Sequence, residues 1–180
     1  MYRFWIRRNF VMFKRNKHYK IKNQVKTTIK KNIMKASIVN LNSENEKLIR
    51  KLYSVAESQD AKAFTELFAD DGYFWDVSGG TKYYGEDIGK TVDVYATAFP
   101  DMHRELYELY VLDDQNTVIV ELSLNGTHKG PLQFSSGTID PTGKTIEVPC
   151  CDVFKIENGK IKSFHCYSAG TVLLGQLGIF

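Results

Sequence analysis

Residues 145–169 read TIEVPCCDVFKIENGKIKSFHCYSA, and the pattern of this stretch decides the fold. Asn158-Gly159 suits a two-residue type I′ turn, which needs positive φ at both central positions. On either side run two β-prone segments, 145–157 and 160–169, so the stretch predicts a long antiparallel hairpin. An unbroken register sets Asp152 opposite His165 and Cys151 opposite Cys166, the two pairs on opposite faces. The Asp152 face also carries Ile146, Val148, Cys150, Phe154 and Ile156, so it is expected to be buried. A carboxylate and an imidazole placed there must satisfy each other or serve a site. Two readings stay open: an Asp-oriented His that carries a proton, and a structural hydrogen-bonded pair, within the domain or at a dimer interface. Cys151 with Cys166 reads as a redox pair or, more plainly, as two small core residues.

Working outward, the segments 103–112 and 116–128 are two further strands, and Asp113-Asp114-Gln115 is the turn between them. A long loop holding Pro131 and Pro141 leads into the hairpin, and the apolar end Val172–Leu177 follows it. Upstream, Ser43-Glu44-Asn45-Glu46 is a capping box. Behind it Leu48, Leu52, Val55 and Ala56 keep helical spacing, which predicts a helix over 44–58. Asp60 caps a second helix with Phe64, Leu67 and Phe68 on its apolar face, ended by Asp70-Asp71-Gly72. Tyr73–Val77 is an aromatic strand. Ile88, Val92, Tyr95 and Phe99 mark a helix over 86–98 that Pro100 stops. Helices first and long antiparallel strands last define an α+β domain. A curved antiparallel sheet wrapped around about three N-terminal helices encloses a pocket at its open end, the usual place for a ligand.

The net charge of +3 hides an asymmetry: residues 1–35 hold 12 Lys/Arg and no Asp/Glu, leaving the body at −9. The chain therefore divides into a basic tail, 1–35, and a domain, 36–180. Three readings of the tail stay open. It is a disordered segment or no part of the native product, Met34 offering an internal start; it is a targeting peptide; or it is a basic arm for nucleic acid or anionic lipid. With no nucleic-acid module behind it, nucleic acid is not the expected partner. No apolar run approaches the ~18 residues of a membrane span. Three cysteines, Cys150, Cys151 and Cys166, do not make a disulfide framework, which points to a reducing, cytoplasmic setting. No C-x-x-C and no paired His/Cys spacing occurs, so no metal site is expected.

Five short motifs stand in order: Phe99-Pro100-Asp101, Gly126-Thr127-His128-Lys129-Gly130, Pro141-Thr142-Gly143-Lys144, Asn158-Gly159-Lys160-Ile161 and Gln176-Leu177-Gly178. The series resembles the SnoaL-like polyketide cyclase family of the nuclear-transport-factor-like superfamily, over about 46–178. The resemblance implies a cystatin-like cone with a deep apolar pocket for a small apolar or aromatic molecule, commonly a homodimer. It also implies aldol ring closure by proton transfer with no cofactor or metal. In the cyclases an acid/base Asp stands ten residues before the Gln of Q-L-G; this chain has Cys166. A helping His stands seven residues before the hairpin Gly; this chain has Asp152. A second common Asp position holds Ala169. Asp60 to Gly79 resembles the corresponding stretch of ketosteroid isomerases. That likeness puts the isomerase base at Asp76 and its oxyanion-binding Tyr at Leu52, one residue from Tyr53.

The candidate proton carriers are thus Asp76, His128, Asp152, His165 and Cys166, and the candidate pocket walls are Trp75, Tyr95, Phe99 and Phe134. Asp76 reads equally as a rim carboxylate, and His128 as an organiser of the turn before Pro131. Two function classes follow: a cofactor-independent cyclase or isomerase, and a non-catalytic binding protein that has lost the cyclase acid/base residue. A third is an interaction protein working through the basic tail.

Overall fold

The computed structural model describes residues 24–31, 44–112, 115–134 and 137–179. The chain falls into two units, Met1–Asn40 and Leu41–Phe180. In the first, residues 24–31 are helical and exposed; most of the basic tail, Ser43 of the capping box and the Asp113-Asp114 turn lie outside the described residues.

The second unit is an α+β domain with a curved, unclosed sheet of six strands. Helix α1 covers 44–57 and buries Ile49, Leu52, Tyr53 and Ala56, spaced to share one face. Helix α2 is Ala61–Thr65, started by Asp60, whose carboxylate accepts from Ala63 N at 2.9 Å. Strands β1 (Phe68–Asp76) and β2 (Thr81–Tyr84) precede helix α3 (Asp87–Ala98). Then come β3 (His103–Leu112), β4 (Thr117–Thr127), a small hairpin β5–β6 (Leu132–Phe134, Gly137–Ile139), β7 (Thr145–Glu157), β8 (Lys160–Ser168) and helix α4 (Gly170–Leu177). The sheet order is β2-β1-β8-β7-β4-β3. Val118, Val120 and Leu122 of β4 and Val148 and Phe154 of β7 are among the buried residues of the inner face, in the same core as α1 and α3.

The structure corrects the sequence reading in four places. The second helix stops at Thr65, and Leu67 and Phe68 lead into a strand instead. Asp70-Asp71-Gly72 lies inside β1, as an irregularity between Phe68 and Tyr73. Gly72 is required there, because a Cβ would lie 2.6 Å from the Ile161 carbonyl. Second, β1 pairs with β8 in parallel, so the sheet is mixed. Third, β2 follows the Ser78-Gly79-Gly80 turn in a segment to which the sequence assigned no element, and β5–β6 and α4 occupy segments read as loop and apolar end.

The fourth correction decides the site. Asn158 and Gly159 have φ of 51° and 74°, as a type I′ turn demands. Glu157 pairs with Lys160 and Ile156 with Ile161, in the expected register. A bulge then intervenes, and Lys155 pairs with Ser163. The extra residue is Lys162, whose ammonium turns out to Asp71 in the irregular part of β1. Beyond it Asp152 faces Cys166 rather than His165, and Cys151 faces Tyr167. One inserted residue exchanges the two faces of β8.

Candidate active site

The inner face encloses a cavity of about 340 Å³. Phe64, Phe74, Tyr95, Leu124, Phe134 and Phe164 supply apolar wall, and Tyr53, Asp76, Arg104, Asp152 and Cys166 supply polar atoms. Asp76 pairs with Cys166 across β1–β8, and Cys166 pairs with Asp152 across β8–β7. The three therefore form one row on one face, the carboxyls flanking the thiol. Two strand spacings, roughly 10 Å, separate the Cα atoms of Asp76 and Asp152.

Asp152 is 2% exposed. Its Oδ2 accepts from the Tyr53 hydroxyl at 2.7 Å and its Oδ1 from the Cys150 thiol at 3.2 Å. Burial pushes its pKa up to about 6, against the opposing pull of these hydrogen bonds and of Arg104. Burial and the adjacent carboxylate push Tyr53 well up. Contact with Cys150, then burial, raises Cys166; at Cys150 the contact with Cys166 acts downward but burial and Asp152 outweigh it. Asp76, at the end of β1, accepts from Gly79 N at 2.9 Å and so closes the turn into β2. Arg104 is largely shielded and pairs with Glu57 at 3.2 Å.

Of the residues singled out in the sequence, Asp76, Asp152, Cys166, Tyr95 and Phe134 meet at the cavity. His165 does not. It lies on the outer face, its Nε2 2.9 Å from the Tyr73 hydroxyl and its ring 5.1 Å from Trp75. Burial and then the nearby Lys82 lower its pKa. Trp75 shares that outer face, with the Lys82 ammonium 4.8 Å from its ring centre. Phe99 is buried behind the wall, stacked between Tyr95 and His128 at 6.2 and 5.2 Å.

His128 is fully buried and outside the cavity lining. Its Nδ1 accepts from Thr142 N at 3.2 Å, which puts the ring proton on Nε2, an atom with no hydrogen-bond partner among the described residues. Burial lowers its pKa. Its backbone is tied as well, His128 N to Lys144 O and Gly143 N to His128 O, both 2.9 Å.

Tyr53 and Arg104 on the cavity wall, and Cys150 buried behind it against Asp152, escaped the sequence reading as site members. Each left a trace. Tyr53 lies within the buried stripe of α1, where its hydroxyl needs a partner. Arg104 is in phase with the inward Leu106 on β3, and Cys150 with Asp152 on β7.

The sequence matches the SnoaL-like domain model over residues 49–164, and the chain belongs to that family. No curated protein matches it. Among solved structures it resembles IdmH, a proposed polyketide cyclase of Streptomyces antibioticus. That match has 22% identity and a TM-score of 0.61, over 74% of this chain and 98% of that one. It also resembles a proposed SnoaL-like polyketide cyclase of Jannaschia sp. CCS1, at 15% identity, TM-score 0.64, 75% and 92% coverage. A third is a protein of ketosteroid isomerase-like fold from Catenulispora acidiphila, in complex with trimethylamine. The values there are 19%, 0.60, 73% and 92%. At these identities the likeness establishes the fold.

Proposed function

We propose that the cavity binds a small, largely apolar carbonyl compound and that its carboxyls move a proton on it, as in a cofactor-independent cyclase or isomerase. One observation carries this: a buried carboxyl, Asp152, lines an apolar cavity and is held by Tyr53 rather than by a counter-ion. An acid whose pKa lies near the working pH can both take and return a proton. Asp76 stands on the other side of Cys166 in the same row, so a ligand carbon between them meets a carboxyl on each side. Arg104, on the same lining, is the cation available to a developing enolate oxygen.

Solvent-deuterium exchange at the α-carbon of cyclic ketones and 1,3-diketones, followed by NMR, tests the reading. The protein should accelerate exchange, and Asp152→Asn or Asp76→Asn should each reduce it by about 10²–10⁴-fold. His165→Gln should leave it unchanged. A second reading, a non-catalytic binding member, is favoured by the thiol of Cys166 at the position of the cyclase Asp. Ketones that bind without any accelerated exchange would establish it over the first. The reading includes a homodimer through the outer sheet face, where Tyr84, Tyr107, Tyr110 and Tyr167 are exposed.

A further inference from the structure

Three ligand atoms converge at one point of the cavity wall. Cys150 Sγ lies 3.5 Å from Cys166 Sγ and 3.2 Å from Asp152 Oδ1. All three donor atoms fall within 4.8 Å of one another. Asp152 and Cys166 open on the cavity, while Cys150 sits behind them, buried, two residues along β7 from Asp152.

We propose that Cys150, Cys166 and Asp152 form a binding site for a thiophilic divalent cation of the zinc class, with a fourth position facing the cavity. The geometry fits such an ion. With Zn–S of about 2.3 Å and Zn–O of about 2.0 Å, tetrahedral ligands stand apart by roughly 3.8 Å for two sulfurs and 3.5 Å for sulfur and oxygen. The observed separations are shorter by only a few tenths of an ångström. Rotation of the side chains therefore admits the ion without moving a strand.

The donor set selects the metal. Two thiolates and one carboxylate favour zinc or cadmium over magnesium or calcium, which take oxygen ligands. Binding exchanges protons for the cation: the divalent ion, two thiols and one carboxylate give a complex of net charge −1 and release two protons. Arg104 lies on the same cavity and offsets that charge. The Tyr53 hydroxyl holds Asp152 Oδ2, leaving Oδ1 turned to the thiols; it is a positioning residue for the ligand. Three ligands with one open position is the arrangement of reactive rather than structural zinc.

The inference goes beyond the proton-transfer reading and does not rest on it. Ion and proton compete for Asp152, so loading the site should suppress exchange that depends on that carboxyl.

The test is a titration of the reduced full-length chain with Cd²⁺, without any organic ligand, read by the ultraviolet thiolate-to-cadmium charge-transfer band. Competition with Zn²⁺ follows. The chain has three cysteines, so a thiolate band can arise only from Cys150, Cys151 and Cys166. We expect saturation at one ion per chain and displacement by Zn²⁺. Cys150→Ser, Cys166→Ser and Cys166→Ala should each weaken binding about 100-fold or more, Asp152→Asn about 10-fold or more, and Cys151→Ser not at all. Far-ultraviolet circular dichroism of each variant separates loss of ligand from loss of fold. A folded protein with no saturable band overturns the proposal, as does a band that survives Cys166→Ala or vanishes in Cys151→Ser. Failure here leaves the deuterium-exchange result untouched, and the converse holds.

Discussion

At the scale of single residues, the site is a problem of charge in a dry place. Asp152 is faced by Tyr53 from α1, Cys150 from its own strand and Cys166 from β8, with Arg104 from β3 acting more weakly. Because burial dominates, the folded state prefers the protonated acid. A carboxyl whose pKa rises from 3.8 to about 6 on folding leaves stability untouched below pH 4. It lowers stability progressively up to pH 6, and by a constant amount above, about 3 kcal/mol at the plateau. Asp152→Asn retains the acceptor for Tyr53 and removes the titration. Relative to wild type its melting temperature should therefore rise between pH 4 and 6 and then level off. A difference that is flat across that window would show that the carboxyl is not desolvated as described.

At the scale of elements, the motifs that carry the family resemblance clasp the fold together and stay out of the cavity. Asp101 accepts from Thr127 N at 2.8 Å and pairs with Lys129 at 3.2 Å, while Lys129 N and Gly130 N reach Ala98 O. Gly130 passes so close that a Cβ would meet Thr97 O at 2.1 Å. His128 and Thr142–Lys144 close the same corner, binding the end of α3 to the start of β7. Gln176 clamps α4 on β7 through Glu147 N and Glu147 O, at 2.9 and 3.0 Å. The bond from Thr127 holds the pKa of Asp101 down to about 2. Its contribution is thus full above pH 4 and lost as pH falls through 2. Asp101→Ala should melt lower than wild type at neutral pH, with the deficit closing between pH 4 and 2 in a series of thermal scans. Elements of this kind are legible in sequence because a turn or a close approach admits few residues. The bulge at Lys162 is not, because an extra residue in a strand changes pairing without changing composition.

At the scale of the whole molecule, the sheet has two faces of different use. The inner face holds the core and the cavity. The outer face exposes Tyr84, Tyr107, Tyr110 and Tyr167 and carries the cluster of Tyr73, Trp75 and His165. Aromatic residues on an uncovered sheet are what a self-associating surface needs. Light scattering should give the mass of two chains for the wild type. Tyr110→Glu with Tyr167→Glu should shift it toward one chain without altering the circular dichroism; an unchanged mass would remove this face as the interface. Among the described residues no helix is long and apolar enough to cross a membrane.

The sequence by itself determined the α+β class, the long hairpin and its turn, the helix over 86–98, and the family to which the domain belongs. These follow from local rules: period of burial, turn chemistry, capping and the spacing of short motifs. It also named Asp76, Asp152 and Cys166, but could not join them. Which face of β8 meets the cavity depends on one unpaired residue and on a parallel neighbour 90 residues away in the chain, Asp76 beside Cys166. Only the tertiary structure decides that, because side chains on a strand change face with each step, and a single bulge reverses every assignment beyond it.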